Sequence, residues 1–382
     1  MRVLVLGPDH SDGSLPPYLD VLTAGLRHHG VTVDRHGSSQ IPYDQTRHRF
    51  WPLERMLTEA RAHADQVDLD SYDLVSLHFG NLEIEQLVPA FWADRRVDRP
   101  DPPVVYHVHT LAPTLLHEHV PDRRWNSVVQ EAIRTLDGYV FFGQYARHQL
   151  AGTMPDDVPG GIAWLPTTIP VGTSPNARPA LAAALDTPPG IPVISLYGYA
   201  APWKDASLLR SVLERMRVPA RVVLAGDLWN QPEQAGVDLG AFVKGPIRVG
   251  TGELVVVPGY LGPADRAALV LASAAGVFPY RSHPSFQGSG AIADYLAHAV
   301  PVVATDVANL AELVGDAGRI VPTGDPELMA TALDSIVGHG VVSVNVARCA
   351  NARAEQFTGA THAARCLAIY QHVLDADRRR KV

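Results

Sequence analysis

The chain has 382 residues, 46% of them hydrophobic and 19% charged, which is the composition of a globular protein of about two domains and not of a disordered or fibrous one. The formal net charge of −8 lies wholly in the first half, where Met1 to Pro170 carry 22 Asp+Glu against 14 Arg+Lys, so a nucleic-acid surface or a basic membrane-docking helix is disfavoured. No apolar run approaches the ~18 residues of a membrane span, and the two cysteines, Cys349 and Cys366, make neither a CxxC pair nor a disulfide framework.

The opening stretch, Met1 to Gly7, lacks the long apolar core and cleavage site of a signal peptide, so a cytoplasmic protein is expected. Arg2 to Leu6 reads as a buried parallel strand, followed by a loop from Gly7 to Ser14. Leu15, Tyr18, Leu19, Leu22 and Leu26 then recur at helical spacing, and the helix from Leu15 to His29 stops at Gly30. Val31 to Val33 begins a second strand. A strand, a glycine-bearing loop, a helix and a strand in this order open a doubly wound α/β domain. Further strands fit 74–77, 104–109, 138–142 and 163–165.

From Pro166 to Gly190 the sequence is rich in Pro, Thr, Gly and Ala and reads as a linker. A second alternation comes after it, with strands expected over 193–197, 221–224, 254–257, 276–278, 302–304 and 319–321. Helices fit 206–215, 263–272, 291–298 and 326–337, and the chain beyond Asn345 reads as helical, most clearly from Ala363 to Arg379. Two α/β domains in sequence imply a ligand-holding cleft between them.

Two segments carry chemistry. In the first, Phe278 to Thr305, a strand ends near Pro279, a polar loop closes on Gly288-Ser289-Gly290, and a helix begins there with Asp294 in its first or second turn. A glycine-flanked helix N-terminus offers free N–H groups and the positive end of the helix dipole to an anion such as a diphosphate. Arg281 can add a charge-assisted contact, and Asp294 can accept from two sugar hydroxyls. The alternative is that the glycines only permit tight packing and Asp294 is solvated. In the second segment, Leu196 to Asp205, a strand ends at Gly198 and Lys204 stands just before a helix. Ligands of open α/β sheets bind at such carboxyl ends, although a lysine near a helix start is often simply solvated. Lysine is scarce in this chain, with three in all against 29 arginines.

Together these segments resemble the nucleotide-sugar domain of the GT-B glycosyltransferases, specifically the retaining family 4 group. Gly198 and Lys204 keep the family's first pattern, with Tyr199 in its Arg position. Val300-Pro-Val-Val-Ala-Thr-Asp306 keeps its later turn, with Ala299 replacing a glycine, and Glu312-Leu-Val314, Gly318-Arg-Ile-Val321 and Gly324-Asp325 resemble the family's stretch after that turn. In the first half, Tyr72 to His78, Val104 to His109 and Asp137 to Phe142 resemble three of its strands. The match covers residues 192–333 well and the first half more loosely.

The resemblance implies a GT-B α/β fold of two Rossmann-like doubly wound domains facing each other across a cleft. They are an acceptor domain over 1–170, a nucleotide-sugar domain over 171–358, and a C-terminal helix over 359–382 that packs back on the first. It implies catalytic roles for His109, Lys204 and Arg281. Donor and substrate contacts fall to Gly13, Gln287, Gly288, Ser289, Gly290 and Asp294, the last at the ribose. Counting back from Pro301 puts Asp294 at the second of the family's two glutamates. The first falls on Phe286, which leaves Gln287 as the nearest polar candidate, and Arg281 takes over the charge that Tyr199 lacks.

The implied reaction is transfer from a nucleoside-diphosphate sugar to a soluble small acceptor with retention of configuration, by front-face attack, without cofactor or metal. The acidic first half suits a cationic, aminocyclitol-like acceptor of specialised metabolism such as antibiotic biosynthesis. No nucleic acid or membrane insertion is expected, and a homodimer is left open. A non-catalytic sugar-nucleotide binder is the alternative. An NAD-dependent oxidoreductase is a weaker one, because Gly7 to Gly13 lacks G-x-G-x-x-G spacing. A metal site made from His107, His109, His117 and His119 is a further reading of the histidine-rich stretch.

Overall fold

The structure is a computed structural model. It describes every residue except 11–12, 45–48, 81–82, 94–101, 112–123, 125–126, 128–132, 134–135, 152–157, 200, 227–245, 285, 339 and 381–382. The chain forms two compact units, one of Met1–Trp164, Pro284–Gln287 and Gly359–Val382, the other of Leu165–His283 and Gly288–Thr358.

The first unit is built on strands β1 (Arg2–Leu6), β2 (Thr32–His36), β5 (Leu74–Phe79), β6 (Val104–Val108), β7 (Gly138–Phe141) and β8 (Gly160–Ile162). They pair in the order β2-β1-β5-β6-β7-β8, all parallel. A separate antiparallel pair, β3 (Tyr43–Asp44) and β4 (Arg49–Phe50), lies outside this sheet. All six residues of β5 are buried, the pattern of a strand covered on both faces. Leu77, Phe79, Trp92, Tyr106 and Phe141 fill the core, with Phe79 stacked on Tyr106 at 4.1 Å between centroids. Each such buried side chain contributes about 1.5–3 kcal/mol.

Helix α1 (Leu15–His28) starts with Pro16 and Pro17 in its first turn, where the missing N–H groups have no intrahelical partner to lose. Helices α2 (Leu53–Gln66), α3 (Val88–Ala93) and α4 (Gln144–Leu150) come next. The last helix, designated α12 (Gly359–Arg380), lies against α1. A Cβ at Gly25 would stand 2.6 Å from Ala363 Cβ, and one at Gly359 would stand 2.5 Å from Val21 Cγ1, so both glycines are set by close approach.

The second unit holds β9 (Val193–Tyr197), β10 (Arg221–Gly226), β11 (Ile247–Val249), β12 (Gly252–Pro258), β13 (Ser273–Phe278), β14 (Val302–Thr305) and β15 (Gly318–Val321). The order is β11-β12-β10-β9-β13-β14-β15. Leaving aside the antiparallel edge strand β11, the six parallel strands run 3-2-1-4-5-6, the doubly wound dinucleotide-fold order. Its helices are α5 (Pro179–Leu185), α6 (Leu208–Arg215), α7 (Pro263–Ala272), α8 (Gly290–Ala297), α9 (Leu310–Val314), α10 (Pro326–Val337) and α11 (Val341–Arg353).

Three expectations are corrected. The last strand of the first unit is Gly160–Ile162, not 163–165. Its two glycines are poor strand formers chosen for space, since a Cβ at Gly161 would stand 2.6 Å from Ile369 Cγ1. The stretch read as a linker contains α5, which Pro179 opens and which buries Leu181 and Ala184. The boundary falls at 164/165 rather than 170/171, because Thr167 and Thr168 are bound into the second unit: Thr167 N–H donates to Phe357 O at 2.7 Å and Thr168 N–H to Asp294 Oδ1 at 2.6 Å.

Candidate functional site

In an open α/β sheet the strand order reverses at one point, and the loops leaving the carboxyl ends there diverge to form a crevice. In the second unit that point lies between β9 and β13. Gly198, at φ +116, turns the chain out of β9, and a Cβ there would stand 2.7 Å from Lys204 Nζ. Lys204 closes a short 3-10 turn over Pro202–Lys204, so its ammonium folds back over the end of the strand. Burial pushes its pKa down to about 8. The Tyr280 ring lies near the ammonium, 5.9 Å away at its centroid, and no described carboxylate pairs with it. An ammonium held partly out of water with no counter-charge favours an incoming anion, which would restore its charged form.

The loop after β13 is tied to the same place. Arg281 N–H donates to Trp203 O at 2.6 Å, and its Nε donates to Asp205 Oδ2 at 2.7 Å. Asp205 is buried at 4% side-chain exposure, whereas Arg281 is 60% exposed. Arg281 therefore lies in the loop that leaves the switch point, with part of its charge offset by Asp205, a partner that the sequence did not point to. Tyr199 packs its ring towards Tyr260, at 6.3 Å between centroids.

Helix α8 begins beside these loops in sequence. Ser289 is its N-cap, extended at φ −131, and its Oγ accepts from Ile292 N. The glycines on either side differ in purpose. A Cβ at Gly288 would stand 2.6 Å from Asn309 Oδ1, whereas at Gly290 nothing lies within 4 Å. Gly290 thus leaves open space in front of N–H groups that have no intrahelical partner.

Asp294 is a correction. Its side chain is fully buried in the second unit. Oδ1 accepts from Thr167 Oγ1 at 2.7 Å and from Thr168 N, while Oδ2 accepts from Tyr197 OH and faces Arg266 Nη1 at 3.4 Å. With four donors and no exposure, this carboxylate is committed to the interior and does not face a ribose. Helical spacing located the residue, but the partners come from segments distant in sequence.

In the first unit the reversal lies between β1 and β5. The loop after β1 carries Gly13 at φ +95, a left-handed position that accounts for the glycine. The segment after β5 carries Glu83 and Glu85, which sequence reading passed over. Glu85 is buried and its Oε1 accepts from Ser38 N at 2.5 Å; Glu83 has a buried Oε2 with no hydrogen-bond partner. Burial pushes the Glu83 carboxyl up to about 8 and that of Glu85 up to about 7. Gln287 belongs to this unit; its Nε2 donates to Val108 O and its Oε1 is buried without a partner.

His109 lies just beyond β6. Its Nε2 lies 3.2 Å from His78 Nδ1, and its ring meets those of Tyr18 and Phe142 at 4.8 Å and 4.9 Å. Burial, with a smaller contribution from His362, pushes its pKa down to about 3, so the ring is neutral near pH 7. His107 is fully buried and bonded to Tyr18 and Tyr370. His117 and His119, the other members of the imagined metal set, lie outside the described residues. Among the described residues His107, His362 and Cys366 bring ligand atoms within 4.8 Å of one another, but the Tyr18 hydroxyl already bonds both histidines.

Two doubly wound parallel sheets, each with polar groups at its switch point, define the chain as a protein of GT-B fold. Residues 192–339 match the model of the glycosyl transferases group 1. No curated protein matches it by sequence. Among solved structures it is similar to the sucrose-phosphate synthase of Thermosynechococcus elongatus, at TM-score 0.71 and 16% identity over 98% of this chain and 99% of that one. It is similar to Anabaena Alr3699/HepE in complex with UDP-glucose, at TM-score 0.66 and 16% identity over the same shares. A glycosyltransferase from Rickettsia africae gives TM-score 0.64 and 14% identity over 98% of both chains. At these identities the likeness is one of fold.

Proposed function

We propose that the protein transfers a sugar from a nucleoside-diphosphate sugar to a small acceptor, with retention of configuration. The observation that carries this reading is the uncompensated ammonium of Lys204 at the switch point of a group 1 domain. Anabaena HepE, which has this fold, was crystallised with UDP-glucose and with UDP and glucose. In the proposed reaction the bond from the anomeric carbon to the diphosphate breaks, and the acceptor oxygen bonds to that carbon from the same face. Its proton passes to the departing diphosphate. Lys204, Arg281 and the N–H groups at the start of α8 stabilise the charge that develops there. These fixed donors fill the place of a divalent ion, so the reaction needs none.

The acceptor side belongs to the first unit. Glu83 and Glu85 at its switch point favour an acceptor with an amino group, since an ammonium beside Glu83 Oε2 would satisfy a buried oxygen that otherwise lacks a partner. Such an acceptor fits an enzyme of specialised metabolism. No described helix is long and apolar enough to cross a membrane.

The test is a thermal-shift screen of the purified protein against UDP, GDP, TDP, ADP and NAD. Stabilisation by one nucleoside diphosphate, unchanged by EDTA, is expected. Stabilisation by NAD alone, or by none, overturns the reading. Slow hydrolysis of the matching nucleotide sugar then separates a transferase from a mere binder.

A further inference from the structure

The interior of the first unit contains one unbroken hydrogen-bonded file of side chains. It starts at His109 and passes through His78, Ser76, Tyr370, His107, Tyr18 and His362 to the backbone carbonyl of Trp164. The successive separations are 3.2, 2.7, 2.6, 2.7, 2.8, 2.8 and 2.8 Å. The five middle groups and His362 are buried, and only His109 reaches partial exposure. The elements that supply the file, β5, β6, α1 and α12, all belong to one unit.

The direction of every bond in this file is set by its last member. A carbonyl only accepts, so His362 Nδ1 carries the proton given to Trp164 O. A neutral ring then bears its lone pair on Nε2, which accepts from Tyr18. The Tyr18 oxygen, having donated its one proton, accepts from His107 Nδ1–H. His107 Nε2 therefore accepts from Tyr370, whose oxygen accepts from Ser76, whose oxygen accepts from His78 Nε2–H. His78 Nδ1 is left as an acceptor, and His109 must fill it with Nε2–H. The Cys366 thiol, with Sγ 3.4 Å from His362 Nε2, agrees, because burial keeps it protonated and an S–H can point only at a lone pair.

We propose that this file is a tautomer lock: the Trp164 carbonyl, acting through six side chains, holds His109 as the Nε2–H tautomer and leaves Nδ1 as its lone-pair nitrogen. Tyr18, Ser76, His78, His107, His362 and Tyr370 are thus positioning residues for His109. Because the file ends on a backbone carbonyl, which accepts a hydrogen bond but has no proton to pass on, it fixes a state instead of conducting one. A neutral ring in this tautomer offers a ligand an acceptor, so the group it meets must bring a donor such as a hydroxyl. That last consequence rests on the reading of His109 as facing substrate; the lock itself does not.

The test reads the tautomers directly, by long-range ¹H–¹⁵N correlation of the histidine-labelled full chain at pH 7 without ligand, assigned by loss of signals in His109→Gln and its counterparts. The lock requires Nε2–H on His78 and His109 and Nδ1–H on His107 and His362. A charged His109, or Nδ1–H on that ring, overturns it. Tyr370→Phe cuts the file in the middle, where no ring contact to His109 intervenes. In that variant, if folded by its thermal melt, His109 should become a mixture of tautomers, and a pure Nε2–H signal there also overturns the lock. Should it not fold, the wild-type pattern decides alone. None of these outcomes depends on sugar transfer, which the nucleotide screen tests separately.

Discussion

The Tyr197 hydroxyl donates to Asp294 Oδ2, joining the last residue of β9 to the middle of α8 inside the second unit. Arg266 on the same carboxylate and Thr167 and Thr168 on its other oxygen make Asp294 the anchor of the segment where the chain enters that unit. Asp294→Ala leaves a buried guanidinium and a phenol without their acceptor, and breaking a buried pair in this way costs about 3–5 kcal/mol. The expected result is a large fall in the denaturation midpoint, read by urea unfolding. A variant as stable as the parent, with only nucleoside affinity reduced, would return Asp294 to the ligand.

Lys204→Ala is expected to behave in the opposite way. An ammonium held partly out of water with no carboxylate partner among the described residues contributes little to the fold, so the melting temperature should hold or rise. Affinity for a nucleoside diphosphate should fall about 10- to 150-fold, the value of a charge-assisted contact of about 1.5–3 kcal/mol. The pH dependence has a definite sign. Lys204 is charged below its pKa of about 8 and neutral above it, so nucleotide affinity should weaken as pH rises through about 8. Calorimetric titrations between pH 6.5 and 9 check this, and a flat profile would remove Lys204 from the anion site.

Most parallel strands were legible because burial on both faces makes them short apolar runs, as in Val193 to Tyr197 and Val3 to Leu6. Helices α7 and α10 were legible for a related reason, since Pro263 and Pro326 mark their first turns. Lys204 and Arg281 were singled out through their places after strand ends. What stayed hidden depends on distant pairing. Nothing near Asp294 in sequence announces Tyr197 or Arg266, nothing near Arg281 announces Asp205, and nothing near His109 announces His362. Gly160 and Gly161 concealed a strand because they were selected for the bulk of Phe141 and Ile369. The antiparallel edge strand Ile247–Val249 is too short to carry a period of its own.

The two glycines flanking Ser289 should separate structure from ligand approach. At Gly288 an added methyl would lie 2.6 Å from Asn309 Oδ1 and 2.9 Å from its Nδ2. Gly288→Ala should therefore destabilise the protein by about 1–3 kcal/mol, the usual cost of overpacking. Gly290→Ala meets nothing within 4 Å and should melt like the parent. Its methyl would occupy the space through which a phosphate reaches the N-terminus of α8, so nucleotide affinity should drop. Equal nucleotide affinity in Gly290→Ala and the parent would place the phosphates elsewhere.

The titratable groups of the first unit set the protein's pH range from both sides. Burial keeps His78 and His107 neutral well below the ordinary range, and holds His362 near about 4 and His109 near about 3. As pH falls below about 6.5 the unfolded chain gains protons that the folded one refuses, so stability declines from there until the folded values are reached. Glu83 and Glu85 act in the other direction. Their folded carboxyls keep protons up to about 8 and about 7, while unfolded ones lose them near 4.5, so stability falls as pH rises from 4.5 to about 8. Each unit of separation is worth about 1.4 kcal/mol. Four histidines outweigh two carboxyls where the slopes overlap, so the optimum should lie near pH 6.5, where the histidine contribution ends. Glu85→Gln keeps an acceptor for Ser38 N–H but cannot ionise, so it should remove one carboxyl's opposing slope between pH 4.5 and about 7, which steepens the acid arm and moves the optimum upward, while Glu83 still gives a decline to about 8. Denaturation midpoints from pH 3.5 to 8.5 compare the two proteins, and an optimum at the same pH in Glu85→Gln and the parent would free that carboxyl of its part in the decline.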